Sequence, residues 1–228
     1  MLTGDGDKWV AMFDAFLDEA GTNEGCPVVT VAGFYASQDQ WAAFRQIWKP
    51  HSQGFHALHS DDRFPALCRA ITESGVKGLF VTVGKATYKR LATDHMKSFM
   101  GNAYAVCAFM CAMSICREVN APTSFVLEQG QPNLDFVKRI LEAMMDAGDP
   151  CVAAVASARK EQFIELHPAD FIAHCGSSHD KPWLQKLFDV DCLKHGHIGE
   201  KELMKLAPEI TAIVKNAKNE RLKAKRNR

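Results

Sequence analysis

The chain has 228 residues, of which 47% are hydrophobic and 24% are charged. These fractions are those of an ordinary folded protein and exclude a mainly disordered chain. The formal net charge is zero, yet residues 215–228 carry seven basic residues and one acidic residue, so this tail is +6 and the rest of the chain is −6. The tail is interpreted either as a contact for nucleic-acid phosphates or as a solvated chain end.

The start of the chain, MLTGDGDKWV, lacks the basic and apolar regions of a secretory signal peptide. The eight cysteines are therefore predicted to be reduced, mostly buried thiols of a cytoplasmic protein. The most apolar segment, residues 99–115, is shorter than the roughly 20 residues of a membrane-spanning helix. It predicts a helix buried against a sheet, and no membrane partner is expected.

Strands and helices are predicted in alternation along the chain. Short β-branched or aromatic runs that end at turn residues predict five strands, at 12–19, 28–36, 78–84, 124–130 and 151–158. Helical patterns lie at 38–49, 61–75 and 132–148, and further helices are predicted after the fifth strand. This order predicts an α/β fold, with a mixed sheet of about five strands covered by helices on both faces. We divide the chain into one domain, 1–198, and a C-terminal helix with the basic tail, 199–228.

Three acidic residues stand at the ends of these elements. Asp18 ends the first strand, Glu128 ends the fourth, and Asp170 begins a helix in HPADFIAHC. The carboxyl ends of strands line the ligand site of an open α/β sheet, so these side chains are candidates to converge there. Clustered carboxylates need a bound cation or retained protons, and an oxygen-only site suits Mg²⁺ or Mn²⁺. The alternative is that each acid caps its own turn or helix.

Four motifs, in order, resemble the family called domain of unknown function 3800 (DUF3800). They are FLDEAG with the following VAGFYAS, then GFHALHS, FVLEQGQPN and SARKEQFIELHPADFIAH. The resemblance covers about residues 13–176, and the first and last motifs carry most of its weight. It implies a ribonuclease H-like fold. The chain departs from the family pattern at Glu128, where Asp is usual, at His167, where Gln is usual, and at Ala20, where Ser is usual.

The resemblance also implies a site and a reaction. Asp18, Glu128 and Asp170 take the places of the metal-binding, catalytic acids of metal-dependent nucleases. Phosphodiester hydrolysis of this kind uses two cations about 3.5–4 Å apart. In that arrangement Asp18 bridges the cations, while Glu128 and Asp170 hold one each.

Three further residues near these motifs are weighed. His56 is a candidate to orient the attacking water or to protonate the leaving group, or it is a partly buried histidine bound to the backbone. Glu19 is predicted to point to the opposite face of the first strand, in a structural role or at a pocket edge. Lys160 is a candidate to pair with the acids or to contact a phosphate, but a lone lysine after a strand is more often a solvated charge, which is the preferred interpretation.

The predicted function is a metal-dependent nuclease or phosphodiesterase that uses Mg²⁺ or Mn²⁺ and acts on nucleic acid, either DNA or RNA. The alternative is a catalytically inactive ribonuclease H-like module that binds nucleic acid or protein. The oligomeric state stays open, with a homodimer as one option. No phosphate-binding loop or dinucleotide-binding signature is present.

Overall fold

A six-stranded mixed sheet forms the centre of the protein, with the strand order β5-β4-β1-β2-β3-β6. The computed structural model describes residues 12–92, 97, 101–130, 134–146, 148–178, 181–206, 208 and 212. The strands are β1 (Phe13–Ala20), β2 (Val28–Ser37), β3 (Lys77–Gly84), β4 (Thr123–Glu128), β5 (Val152–Ala158) and β6 (Leu193–Ile198). β1, β2 and β3 form an antiparallel meander, and β4, β5 and β6 add to it in parallel pairs.

Helices cover both faces of this sheet. They are α1 (Gln38–Ser52), α2 (Phe64–Ser74), α3 (Lys85–Leu91), α4 (Ala103–Val119), α5 (Leu134–Asp146), α6 (His167–Ser178) and α7 (Lys181–Asp189). Short 3-10 turns lie at Ala57–His59, Asp61–Arg63 and Ile164–Leu166, and residues 200–206 are helical. Among the described residues, no helix is both long enough and apolar enough to cross a membrane.

Local signals in the sequence set the ends of these helices. Ser37 caps α1, because its hydroxyl accepts a hydrogen bond from Gln40 N while the Gln40 side chain accepts one from Ser37 N at 3.0 Å. α2 ends at Gly75, whose φ of +70° lies in the left-handed region that glycine adopts without strain. The predicted helix start and stop are confirmed at both places.

Alternate side chains of β1 enter two cores, one on each face of the sheet. Leu17 packs with residues of α4 and α5, whereas Phe16 packs with residues of α1, α2 and α6. α4 is buried against the sheet, as the sequence predicts. A Cβ atom at Gly33 would lie 2.8 Å from Cδ1 of Ile115 and 2.9 Å from Sγ of Cys111, so glycine allows this close approach.

The predicted α/β fold and its five strands are confirmed, but the sheet has a sixth strand where only helices were predicted. β6 pairs in parallel with β3 at the edge of the sheet. Only its two end residues are buried, and the four residues between them are exposed. A strand of this kind lacks the alternating apolar pattern that identifies a half-buried strand. The basic tail at 215–228 lies outside the described residues, and the domain division at 198 stays a prediction.

Candidate metal centre

The parallel pairing of β1 and β4 brings two predicted acids together. Leu17 pairs with Leu127, so the next residues, Asp18 near the end of β1 and Glu128 at the end of β4, lie side by side and on the same face. α6 packs over this face and carries Asp170 in its first turn. The structure therefore places Asp18, Glu128 and Asp170 around one point at the carboxyl edge of the sheet.

The ammonium group of Lys160 lies at this point. Its Nζ atom is 3.1 Å from Oε1 of Glu128, 3.2 Å from Oδ1 of Asp170 and 3.5 Å from Oδ2 of Asp18. The Lys160 side chain is 13% exposed, so the expectation of a solvated lysine is wrong. Burial lowers its pKa, but the charges of Asp18, Asp170 and Glu128 raise the pKa of Lys160 above its ordinary value, so the side chain stays charged.

Glu19 joins the same group, against the prediction that it faces away. One carboxylate oxygen from each of Asp18, Glu19 and Glu128 lies within 4.8 Å of the other two. Glu19 pairs with Val31 of β2 but lies beyond the last pair of β1 with β4, Leu17 with Leu127. We attribute its place in the group to the length of its side chain, which can reach past the end of β4.

The four carboxylates are buried, at 1% exposure for Asp18, 6% for Asp170, 8% for Glu128 and 9% for Glu19. Asp170 is held on both oxygens, because Oδ2 accepts a hydrogen bond from Ala57 N at 2.9 Å. In the described part of the chain, by contrast, Oδ2 of Asp18 and Oε1 of Glu19 have no hydrogen-bond partner. Buried carboxylate oxygens without donors are costly unless a cation or a proton satisfies them.

Burial is the main cause of a raised pKa at Asp18 and Glu19. The pKa of Asp18 lies well above its ordinary value because its carboxylate is desolvated, and a hydrogen bond with Glu128 and the charges of Glu19, Asp170 and Glu128 raise it further. Burial and the charge of Glu128 likewise raise the pKa of Glu19, while Lys160 lowers it. The site is therefore short of positive charge, even with Lys160 in place.

His167 supports Lys160 rather than acting as a ligand. Nε1 of Trp48 donates a hydrogen bond to Nδ1 of His167 at 2.9 Å, and Nε2 of His167 is 3.2 Å from the carbonyl oxygen of Lys160. Since Nδ1 accepts, Nε2 carries the proton and donates to Lys160. Burial lowers the pKa of His167 to about 4, so the ring is neutral at pH 7. These two hydrogen bonds, from Trp48 to His167 and from His167 to Lys160, fix the backbone next to the acids.

His56 is not brought into this group by its side chain. Its ring is exposed, and its Nδ1 atom accepts a hydrogen bond from Leu58 N at 3.3 Å. Within the described ranges, no hydrogen bond or ion pair joins the ring to the four carboxylates. The contribution of this segment to the site is the backbone N–H of the next residue, Ala57, which donates to Asp170.

Tyr104, in the first turn of α4, lies beside the group and was not singled out from the sequence. Burial raises its pKa, and the charges of Glu19, Asp18 and Glu128 raise it further. Lys160 had one visible signal, a basic residue directly after a strand whose end pairs with Glu128. Tyr104 had none, because only the packing of α4 against the sheet brings it to the acids.

Comparisons with known proteins identify the fold. No protein-family model and no curated protein matches the sequence, so membership of DUF3800 stays a prediction. Among solved structures, Bst-RNase HIII in complex with Mn²⁺ matches with a TM-score of 0.52 and 13% identity, over 80% of this chain and 57% of its own. A mutant of the same enzyme gives 0.51 and 13%, over 79% and 56%. RNase HII of Archaeoglobus fulgidus, in complex with PCNA, gives 0.48 and 20%, over 77% and 76%.

The chain therefore has a ribonuclease H-like fold, as the sequence resemblance implied. It spans 57% of the length of Bst-RNase HIII. At 13% identity this similarity concerns the fold alone, so the function has to be argued from the site.

Proposed function

We propose that this chain is a metal-dependent nuclease that hydrolyses phosphodiester bonds of nucleic acid at the carboxylate group of Asp18, Glu19, Glu128 and Asp170. The observation that carries the proposal is a pair of buried oxygens, Oδ2 of Asp18 and Oε1 of Glu19, that have no hydrogen-bond partner among the described residues. They belong to a group of acids in which one oxygen each of Asp18, Glu19 and Glu128 lies within 4.8 Å of the others. The ribonuclease H-like fold supports it, since a structure with this fold, Bst-RNase HIII, is a complex with Mn²⁺. From the four sequence motifs and the ribonuclease H-like fold, we also propose that the chain is a member of DUF3800.

The donor set fits a hard divalent cation. The oxygens of Asp18, Glu19 and Glu128 lie within 4.8 Å of one another, a spacing that a cation with oxygen bonds of about 2.0–2.6 Å spans after small movements. All donors are carboxylate oxygens, the ligand type of Mg²⁺ and Mn²⁺. A cation there would also favour the ionised forms of Asp18 and Glu19, whose pKa values are raised mainly by burial and further by the neighbouring carboxylates.

A divalent cation at this site would supply an activated water and would stabilise the charge that develops on the phosphate and the leaving oxygen. The residues of the chain do the rest. The end of β1 and the end of β4 hold Asp18 and Glu128 side by side, and Ala57 N fixes the orientation of Asp170. The His56 ring does not contact the acids, but it is exposed and stands one residue before Ala57, whose N–H binds Asp170, so we propose it as the proton donor to the leaving group of a bound substrate.

A second candidate is an inactive ribonuclease H-like module that binds nucleic acid or protein. One observation favours it: Lys160 already forms ion pairs with three of the four carboxylates, so the group can exist as a structural ion cluster. The two candidates differ in one property. A structural cluster has no need of a divalent cation, whereas the nuclease does not work without one.

Calorimetric titration with Mn²⁺ and Mg²⁺ tests the proposal. The wild type is expected to bind either ion, and Asp18→Asn is expected to lose binding because it removes a shared ligand. Asp39→Asn is the matched control, since Asp39 is an exposed acid in the first turn of α1, and it should bind as the wild type does. Absence of binding by the wild type, or equal binding by Asp18→Asn, would overturn the nuclease proposal in favour of the structural cluster.

A further inference from the structure

Two overlapping groups of three carboxylates make up the site, and both contain Asp18 and Glu128. In the first group the third member is Glu19, and one oxygen from each residue lies within 4.8 Å of the others. In the second group the third member is Asp170, and Nζ of Lys160 lies between the three carboxylates at 3.1–3.5 Å. The site thus offers two cation positions, and a side chain of the protein itself occupies one of them.

We infer that this chain binds a single divalent cation, at the Asp18–Glu19–Glu128 position, and that the Lys160 ammonium group permanently takes the second position, between Asp18, Glu128 and Asp170. The inference rests on the proposed function. It replaces the two-cation arrangement expected from the sequence by one cation and one lysine. It also makes Glu19, rather than Asp170, the third ligand of the metal.

The carboxylates of the two positions differ in their partners. At the Lys160 position all three carboxylates form ion pairs with Nζ, although Oδ2 of Asp18, at 3.5 Å, accepts no hydrogen bond. At the Lys160 position both oxygens of Asp170 have partners, Lys160 Nζ and Ala57 N. At the other position Oε1 of Glu19 has none, although Glu19 is only 9% exposed. The unmet demand for a cation is therefore at Glu19.

Lys160 is also held in place along its backbone. Its carbonyl oxygen accepts a hydrogen bond from His167, and His167 is fixed in turn by Trp48. Only a rotation of the side chain would withdraw the ammonium group, and such a rotation would leave Oδ1 of Asp170 without its partner. A second divalent cation would have to displace the ammonium group and so bear the cost of breaking its ion pairs. In a variant without the lysine, the second cation would bind without that cost.

The charges lead to the same arrangement. Four ionised carboxylates and Lys160 sum to −3, and one divalent cation brings the group to −1. A second cation beside Lys160 would place three positive centres within a few ångströms of one another, with repulsion that is strong in a buried site. Lys160 therefore takes the place of the second cation: it supplies positive charge through N–H donors instead of through bonds to a metal.

The test is a Mn²⁺ titration of the full-length chain by calorimetry, with electron paramagnetic resonance to distinguish isolated from paired ions. The wild type is expected to bind one Mn²⁺ and to give the spectrum of an isolated ion. Lys160→Met is expected to bind two and to give the spectrum of a coupled pair. Lys194→Met, which removes an exposed lysine paired with Glu118, is the control and should bind one.

A second pair of variants decides the question even if Lys160→Met fails to fold. Glu19→Gln should weaken Mn²⁺ binding by at least about tenfold, the scale seen when groups of a metal site are removed. Asp170→Asn should still bind one ion with nearly wild-type affinity, because Asp170 binds the lysine and not the metal.

Two Mn²⁺ ions in the wild type would overturn the inference. So would a folded Lys160→Met protein with one ion, or a larger loss of affinity in Asp170→Asn than in Glu19→Gln. These outcomes leave the proposed nuclease intact, because each still has Mn²⁺ bound at the acidic group. Failure of the wild type to bind Mn²⁺ at all is the separate result that removes both.

Discussion

The Nζ atom of Lys160 lies 3.1 Å from Oε1 of Glu128, so an ion pair joins the ends of two neighbouring parallel strands. β5 pairs with β4 up to Ala158 and Glu128, and the lysine follows two residues later, where its side chain reaches back over the sheet edge. A buried carboxylate group of this density needs bound cations or retained protons. Lys160 provides one positive charge, and the remaining deficit is the physical basis for proposing a metal.

Removal of Lys160 should destabilise the metal-free protein. Lys160→Met is expected to lower the free energy of unfolding by about 3–5 kcal/mol, because it leaves buried carboxylates without their partner. Urea unfolding in the presence of a chelator measures this. Lys194→Met, at an exposed ion pair, should have little effect, and equal losses in the two variants would mean that the Lys160 pairs are not special.

Mn²⁺ should then restore much of that stability. A ligand that binds only the folded state adds about 2.7 kcal/mol at a concentration a hundredfold above its dissociation constant. The gain should be larger in Lys160→Met than in the wild type, because two ions bind in place of one. Thermal unfolding with and without Mn²⁺ measures the gain, and a smaller gain in the variant would contradict the one-cation arrangement.

His167 should make stability depend on pH in the acidic range. Its folded pKa of about 4 lies below its ordinary value of 6.5, so the unfolded chain takes up the proton first as the pH falls. Its contribution is complete above about pH 6.5 and is lost as the pH falls towards 4, by up to about 3 kcal/mol.

His167→Gln removes this titration, and its amide can still accept from Trp48 and donate to Lys160. The difference in unfolding free energy between wild type and variant should therefore change between pH 6.5 and pH 4. This difference is the informative quantity, since the raised pKa values of Asp18 and Glu19 act in the opposite direction. His59→Gln, at an exposed histidine, is the control, and a constant difference for His167→Gln would refute the buried neutral ring.

Glu19 should be as important for hydrolysis as Asp18. Glu19→Gln is expected to abolish metal-dependent cleavage, since it removes a ligand whose Oε1 atom has no other partner. Glu24→Gln changes an exposed acid four residues beyond Ala20, near the same hairpin, and should cleave normally. Full activity of Glu19→Gln would return Glu19 to the structural role that strand alternation first suggested.

His56 should affect the chemical step without affecting metal binding. If His56 protonates the leaving group, His56→Ala should lower kcat by about 100-fold or more and leave the Mn²⁺ affinity unchanged. His59→Ala is the neighbouring control. An unchanged kcat for His56→Ala would limit this ring to the local hydrogen bond with Leu58 N.

Local patterns in the sequence were sufficient for much of the fold and for three of the four acids. Ser37 and Gly75 mark helix ends by chemistry that needs no tertiary context. Asp18 lies near the end of β1 and Glu128 ends β4, two strands whose apolar runs are easily recognised. Glu19 was misplaced because its long side chain brings its carboxylate to Asp18 and Glu128 although its backbone follows the regular alternation of β1. Lys160 was considered as a partner of the acids but interpreted as a solvated charge, because its partners come from three distant segments and only the adjacency of β5 and β4 brings them together. β6 was missed because its exposed residues, Lys194 to His197, have no strand pattern.

The most direct test of the nuclease proposal is hydrolysis itself. End-labelled single-stranded and double-stranded DNA and RNA, and their mixed duplex, would be incubated with the wild type and with Asp18→Asn, in Mn²⁺, in Mg²⁺ and in chelator. The proposal predicts cleavage of at least one substrate by the wild type with a divalent ion, and none in chelator or with Asp18→Asn. Cleavage that persists in Asp18→Asn, or no cleavage of any substrate by a wild type that has bound Mn²⁺, would contradict it.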